Sequence, residues 1–163
     1  MNVNDLKQHL FSLCLELADF CQAHDLKLVT AESCTAGLIS GYLTDLPGSS
    51  SYIEGGFVTY SNYMKATMLG VNQANLDKYG AVSKQVALEM VSGALNKAFH
   101  ANIAVAVTGF AGPDTHDLVG LVWIAIQRRD RKAIAYQYNF LGDREVIRLQ
   151  TVIEAIKLLL TLS

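Results

Sequence analysis

The sequence predicts an α/β domain, a three-layer α/β/α sandwich built on a mixed sheet. Amphipathic helical patterns alternate with short apolar runs along the chain, which places helices on both faces of a sheet. Two strand-like runs, 119–127 and 132–140, flank the polar residues 129–131 as a hairpin, so the sheet is expected to be mixed. The 163 residues contain no repeat, linker or low-complexity tract, which indicates one domain over 1–163.

The first half of the chain predicts two helices and two strands. Apolar residues at three- and four-residue steps indicate a helix over 5–24, and the apolar run 26–30 indicates a buried strand. A second helical pattern covers 37–44, with Thr35 as its expected N-cap. A strand is expected over 52–60.

The second half adds two helices and a strand before the hairpin, and one helix after it. Asn62 is the expected cap of a short helix, and Ser83 is the expected cap of a longer one. The run 103–108 is entirely apolar up to its final threonine and indicates a buried strand. The last helix is expected to begin at Gly142-Asp143 and to end near residue 160.

Composition excludes several classes of protein. A net charge of −2 without a basic stripe argues against nucleic-acid binding, and no apolar run reaches the roughly 18 to 20 residues of a membrane span. The N-terminus does not have the pattern of a signal peptide, so a cytoplasmic protein is expected. Hydrophobic residues make up 51% of the chain, which favours a homo-oligomer, a dimer or higher. Three cysteines and four scattered histidines show no metal-binding spacing.

Three segments leave apolar strands with small polar residues: 30–37, 59–65 and 108–113. Functional residues of α/β folds gather where parallel strands end. If the three strands are parallel neighbours, these segments are expected to converge on one site. The glycine-rich segment 108–113 loosely resembles a phosphate-binding loop, but a tight turn that needs glycine explains it equally well.

Ser33 and Lys65 are the candidates for chemistry in these segments. Ser33 lies at a strand-to-helix corner, where following backbone N–H groups can stabilise an oxyanion. The alternative is that Ser33 and Thr35 only cap the helix. Lys65 can act as a base for a serine if burial lowers its pKa. The alternative is a solvated lysine on a helix surface.

Five motifs occur in a fixed order and carry a resemblance to a known family. They are TAESCTAG (30–37), LTDLPGSS (43–50), GFVTYSN (56–62) followed by Lys65, GAVS (80–83) and TGFAGP (108–113). Together they resemble the CinA C-terminal-domain family, which includes the nicotinamide mononucleotide deamidases. The resemblance runs from about residue 10 to the C-terminus.

The resemblance implies an amidohydrolase that converts nicotinamide mononucleotide to nicotinic acid mononucleotide and ammonia, in pyridine nucleotide recycling. It implies Ser33 as nucleophile, Lys65 as base and Tyr60 as the hydroxyl that orients or relays between them. It implies no metal and no organic cofactor, and it agrees with a homo-oligomer. The nucleotide substrate would be bound by Cys34, Thr35, Ser49, Ser50, Thr108, Gly109, Arg144 and Arg148. The two arginines would lie near the phosphate, supplied by the same chain or by a neighbouring subunit.

Two departures from the family pattern motivate alternatives. Ala36 stands where the family usually has glycine, a mild change if that residue is helical. The segment 114–121 is shorter and poorer in glycine than the family pattern, and it carries Asp114 and Asp117. This altered loop supports a catalytically silent family member that binds a nucleotide or a protein partner. A cysteine variant, with Cys34 as the nucleophile, is the third hypothesis.

Overall fold

The computed structural model describes residues 2–113 and 117–163. It contains six helices and five strands in these ranges: α1 Val3–Ala23, β1 Leu28–Glu32, α2 Leu38–Thr44, β2 Ile53–Val58, α3 Asn62–Leu69, α4 Gln73–Tyr79, α5 Lys84–Lys97, β3 Ile103–Gly109, β4 Leu121–Arg128, β5 Ile134–Asn139 and α6 Arg144–Leu159. A short 3-10 helix, Ser49–Ser51, precedes β2.

The strands form one mixed sheet in the order β2-β1-β3-β4-β5. β1 is parallel to both β2 and β3, and β4 and β5 continue the sheet as an antiparallel hairpin. The mixed sheet predicted from the sequence is therefore confirmed. Because β1, β2 and β3 run in the same direction, their carboxyl ends lie at one edge of the sheet.

Helices cover both faces of the sheet and give the predicted three layers. Side chains of α1, α2 and α6 pack on the face that carries Ile103, Val105 and Val107 of β3. Helices α3, α4 and α5 pack on the opposite face, where β3 presents Ala104 and Ala106. The alternation of large and small side chains along β3 lets the second layer approach the sheet closely.

A glycine lets α5 approach α3 closely. Gly93 of α5 is buried, and a methyl group at this position would overlap the backbone carbonyl oxygen of Leu69, the last residue of α3. The two helix backbones are therefore in direct contact. This contact fixes how far α3 lies from the rest of its layer.

Most element boundaries agree with the sequence, and the exceptions have local causes. Ser83 and Asp143 cap α5 and α6 by accepting the N–H of Val86 and Val146, which confirms the expected starts of these helices. The cap of α3 is Ser61 rather than Asn62. The helix α4 was not predicted, because only one of its seven residues is buried and its apolar pattern is weak.

None of the helices in the described part of the chain is both long and apolar enough to cross a lipid bilayer.

Candidate active site

The carboxyl ends of β1, β2 and β3 converge on one pocket of about 190 Å³. Its lining comes from all three predicted segments, together with the segment before α5 and the start of α6. The lining residues are Ser33, Cys34, Tyr60, Lys65, Ala81, Val82, Thr108, Gly109, Phe110, Ala111 and Arg144. The expected convergence of the strand ends is thus observed. Sequence reasoning did not single out Ala81, Val82, Phe110 or Ala111, because nothing in their side chains suggests chemistry.

Ser33 and Lys65 are in direct contact inside this pocket. The Lys65 Nζ lies 2.9 Å from the Ser33 Oγ, and it also donates to the backbone carbonyls of Thr59 and Tyr60, each at 3.0 Å. Lys65 is 1% exposed, so it is not a solvated surface lysine. Within the described residues, no carboxylate forms an ion pair with it.

Burial changes the acid–base behaviour of Lys65. Desolvation disfavours the charged ammonium and lowers the pKa of Lys65 from 10.5 to about 8. With this pKa, about a tenth of the side chain is neutral at pH 7. A neutral amine next to a serine hydroxyl has the properties of a general base.

Cys34 also lines the pocket, but its thiol is a poor nucleophile there. Its side chain is 5% exposed, and burial raises the pKa of the thiol to about 12. Since the thiolate is the reactive form, little of it is present at neutral pH. The cysteine hypothesis is therefore disfavoured relative to Ser33.

The backbone at the Ser33 corner leaves two N–H groups available. The Ser33 N–H donates to the Val107 carbonyl at 3.1 Å, and the Ala36 N–H donates to the Ser33 carbonyl at 3.0 Å. Within the described residues, the N–H groups of Cys34 and Thr35 donate to no other residue. These two groups are the candidate donors to an oxyanion formed at Ser33.

The buried carboxylate of Glu32 holds the backbone and hydroxyl groups of the Ser33 corner. Glu32, the last residue of β1, is fully buried and accepts six hydrogen bonds. The donors are the hydroxyls of Thr30 (3.1 Å), Thr35 (2.7 Å) and Ser40 (2.8 Å) and the N–H groups of Gly37, Ile39 and Ser40 (3.0 Å each). Glu32 thereby caps the first turn of α2 from the preceding strand. The detectable signal was a carboxylate ending an otherwise apolar, buried strand.

Thr35 does not have the role expected from the sequence. The N-cap residue of α2 is Gly37, and the hydroxyl of Thr35 is fully buried and donates to Glu32. The side chain of Thr35 therefore faces the core rather than the pocket. Thr35 is not among the residues that line the pocket, so its side chain does not meet a substrate bound there.

The two arginines of α6 occupy different positions. Arg144 lines the pocket and donates to the Gly112 carbonyl and, at 3.4 Å, to the Tyr60 hydroxyl. Arg148 does not line the pocket, and its guanidinium donates to the backbone carbonyls of Cys34 and Thr35, each at 3.0 Å. Arg144 is placed to meet a substrate, whereas Arg148 holds the backbone of the corner.

Tyr60 and Thr108 both line the pocket, and their hydroxyls have partners other than Ser33 and Lys65. The Tyr60 side chain is 59% exposed and its hydroxyl accepts from Arg144, while its backbone carbonyl accepts from Lys65. The Thr108 hydroxyl donates to the Ala81 carbonyl at 2.8 Å, which leaves its lone pairs free to accept. In this arrangement the Tyr60 hydroxyl does not lie between Ser33 and Lys65.

With this geometry the chain can be compared with known proteins. Residues 11–163 match the family model described as the CinA C-terminal domain. The chain belongs to the CinA C-terminal domain family.

Several members of the CinA C-terminal domain family are similar to the chain over nearly its whole length. A relative from Pseudomonas putida named nicotinamide-nucleotide amidohydrolase PncC is 43% identical over 155 residues, covering 93% of this chain and 96% of the relative. The protein of that name from Escherichia coli K12 is 41% identical, covering 92% of each chain. The crystal structure of the competence/damage inducible protein CihA from Agrobacterium tumefaciens has a TM-score of 0.88 at 42% identity, covering 94% of each chain.

Ser49 and Ser50 do not reach this pocket. Their 3-10 helix lies just before β2, at the amino edge of the sheet, where the Leu28 N–H donates to the Tyr52 carbonyl at 2.7 Å. The pocket lies at the opposite, carboxyl edge, because α2 returns the chain across the sheet before β2 begins. The expected substrate contact of these two serines is therefore not made within the chain's own pocket.

The loop that departs from the family pattern lies partly outside the described residues. Asp114 lies outside the described residues, as do residues 115 and 116. Asp117 is exposed and lies outside the pocket lining.

Ala36 lies in the left-handed region of the backbone, with φ +51°, so it is not helical, and the condition under which its replacement of glycine would be mild is not met. A residue with a Cβ is strained there by about 1 to 2 kcal/mol, while glycine loses about 0.4 to 1 kcal/mol more backbone entropy on folding. Ala36→Gly is therefore expected to raise the free energy of unfolding by about 0.5 kcal/mol, measured by urea denaturation.

A matched substitution separates backbone strain from a general effect of glycine. Ala18→Gly, in the middle of α1, is expected to lower the free energy of unfolding by about 0.5 to 1 kcal/mol. If Ala36→Gly destabilised the protein as much as Ala18→Gly does, the strain assigned to Ala36 would be wrong.

Proposed function

We propose that this chain hydrolyses nicotinamide mononucleotide to nicotinic acid mononucleotide and ammonia, with Ser33 as nucleophile and Lys65 as general base. The observation that carries the proposal is the 2.9 Å contact between the Ser33 Oγ and a buried, uncompensated Lys65 Nζ. The names of the relatives at 41% to 43% identity support the substrate.

The surroundings of Lys65 suit a base. A neutral lysine amine has two N–H donors and one lone pair, and the carbonyls of Thr59 and Tyr60 can accept the two donors. The lone pair is then directed at the third partner, the Ser33 hydroxyl. In this state Ser33 donates its proton to Lys65, which is the hydrogen bond that general-base activation requires.

The reaction follows in two steps. As the Ser33 Oγ attacks the carboxamide carbon, its proton moves to Lys65, and the negative charge forms on the carboxamide oxygen near the Cys34 and Thr35 N–H groups. Lys65 then protonates the leaving nitrogen, and the C–N bond breaks to release ammonia and an acyl-Ser33 ester. A water molecule, deprotonated by Lys65, attacks the ester, and that proton passes to Ser33 as the carboxylic acid leaves. In solvent the acid gives its proton to ammonia, so the products are the carboxylate and ammonium.

The shape of the pocket favours an elongated, anionic substrate. At about 190 Å³ it is smaller than the roughly 300 Å³ at the low end for whole ligands, so it fits only one end of a nucleotide. A second pocket of about 200 Å³ adjoins it along Tyr60, Gly109 and Arg144. The carboxamide ring would enter the first pocket, and the phosphate would lie in the second near the Arg144 guanidinium.

The proposal is tested by incubating the purified protein with nicotinamide mononucleotide and measuring ammonia and nicotinic acid mononucleotide in equal amounts. Ser33→Ala is expected to abolish the release, and Ser12→Ala, at an exposed serine of α1, is expected to retain it. Absence of ammonia from the folded wild type, or unchanged release by Ser33→Ala, would overturn the proposal. The first of these results would favour a nucleotide-binding protein without catalysis.

A further inference from the structure

The corner that carries Ser33 is held by a side chain 114 residues further along the chain. We propose that Arg148 is a positioning residue that keeps the Thr35 N–H directed at the oxyanion of the reaction. The proposal rests on the proposed hydrolysis at Ser33. It differs from the phosphate contact expected for Arg148 from the sequence.

Peptide geometry connects Arg148 to the Thr35 N–H. The Cys34 carbonyl and the Thr35 N–H belong to one peptide unit, which is trans, so they point in opposite directions. The Arg148 Nε holds that carbonyl at 3.0 Å. The N–H is consequently directed away from the guanidinium, and the two residues that precede it, Ser33 and Cys34, line the pocket.

Apart from the Cys34 N–H, the neighbouring donors at the corner are already used, which makes this peptide important. The N–H groups of Ser33 and Ala36 donate to backbone carbonyls, and the Gly37 N–H donates to Glu32. If the peptide between Cys34 and Thr35 rotated, it would present a carbonyl oxygen to the pocket instead of a donor. A carbonyl dipole in that position would repel the oxyanion.

An arginine is suited to this role and a lysine is not. The guanidinium is a rigid fork, and here Nε and Nη2 reach two successive carbonyls, those of Cys34 and Thr35, at the same distance of 3.0 Å. Glu32 holds the other side of the corner through the Thr35 hydroxyl and the Gly37 N–H. The corner is therefore fixed between a buried carboxylate and a guanidinium that do not contact each other.

The position of Arg148 argues against a direct phosphate contact. Its side chain lies in a groove between α2 and α6, lined by Leu38, Tyr42, Arg144, Glu145, Arg148 and Leu149. Arg144 is shared between this groove and the Ser33 pocket, but Arg148 is not. Of the two arginines, only Arg144 is placed to contact a substrate bound at Ser33.

The test compares Arg148→Met and Arg148→Lys on two substrates that differ only in the phosphate, nicotinamide mononucleotide and nicotinamide riboside. Loss of one oxyanion donor is expected to lower kcat by about 100-fold on both substrates. KM is expected to stay within about threefold of the wild-type value. The pH at which kcat/KM is half-maximal is expected to stay within about 0.3 of a pH unit of the wild type. Arg144→Met is the matched control, expected to raise KM for the mononucleotide alone.

A raised KM for the mononucleotide with unchanged kcat in the Arg148 variants would overturn the proposal and assign Arg148 to the phosphate. An unchanged kcat and KM would overturn it as well. Thermal unfolding checks that each variant is folded, and Arg148→Lys keeps the charge and most of the length if Arg148→Met does not fold.

A second readout does not need hydrolysis of the natural substrate. A fluorophosphonate modifies an activated serine and places an oxygen where the oxyanion forms, so the labelling rate of Ser33 reports on the same donors. Labelling is expected to be about 100-fold slower in the Arg148 variants than in the wild type. If the wild type is labelled but releases no ammonia, the proposed function is wrong while the proposal for Arg148 can still be tested. An equal labelling rate in the wild type and the Arg148 variants would overturn the role of Arg148.

Discussion

Replacing Lys65 by methionine is expected to lower kcat/KM for nicotinamide mononucleotide by about 1,000-fold or more at pH 8. Methionine has a similar length and no basic nitrogen, so Ser33 loses its proton acceptor while the space at the end of α3 remains filled. Because Ser33 and Lys65 act as a unit, the loss is expected to match that of Ser33→Ala, and the double variant should lose little more. Initial rates of ammonia release measure all three.

The pH dependence of the wild type tests whether Lys65 is the base. Only the neutral amine is active, and the pKa of Lys65 is lowered to about 8, so kcat/KM is expected to rise about tenfold per pH unit below pH 8 and to level above it. The residual activity of Lys65→Met should lack this rise. A folded Lys65→Met protein with the wild-type rate and pH profile would show that another group is the base.

Two controls accompany these measurements. Lys84→Met, at an exposed position at the start of α5, is expected to leave the rate unchanged. Between pH 8 and 10.5 the unfolded chain binds more protons at Lys65 than the folded protein does, so the wild type should gain stability relative to Lys65→Met across this window. That gain reports the lowered pKa without any substrate.

Glu32→Gln is expected to lower the free energy of unfolding by about 3 kcal/mol or more, because it breaks a fully desolvated network. All six partners of Glu32 are hydrogen-bond donors in this arrangement. A glutamine amide would place its own N–H₂ group against three of them. Since a domain of this size is stable by about 5 to 15 kcal/mol, this single substitution removes a large fraction.

Urea denaturation measures this loss, with Glu54→Gln as the matched control. Glu54 makes one partly exposed ion pair with Lys27 at 3.5 Å, and its replacement is expected to change stability by less than about 1 kcal/mol. The same small change in Glu32→Gln would mean that the network at Glu32 contributes little to stability.

The parts of this protein that follow from local sequence were predictable. The caps at Ser83 and Asp143 depend on residues three positions apart, and the buried strand at 103–108 is evident from its composition. Ser33 and Lys65 were identified because each follows the end of an apolar strand. Their direct contact, however, required β1 and β2 to be adjacent and parallel, which no local pattern specifies.

The parts that depend on distant contacts were not predictable in the same way. The sequence predicts Thr35 as the helix cap, but the true capping group is the Glu32 side chain, which comes from the preceding strand. Arg148 contacts the Ser33 corner only because α6 packs beside α2, across more than a hundred residues of chain. The family resemblance implies Ser49 and Ser50 as substrate contacts, but the direction of the crossover places them at the other edge of the sheet.

The contact between Gly93 and Leu69 has a consequence for how the activity of this protein could be tuned. Lys65 and Leu69 are the two buried side chains of α3, one turn apart, so the depth of the base is set by how closely α3 rests on α5. A larger residue at position 93 would push α3 away from α5 and would let water reach the Lys65 amine from the side of α5. The pKa of Lys65 is thus expected to depend on the residue at position 93, which does not line the pocket, through the distance between α3 and α5.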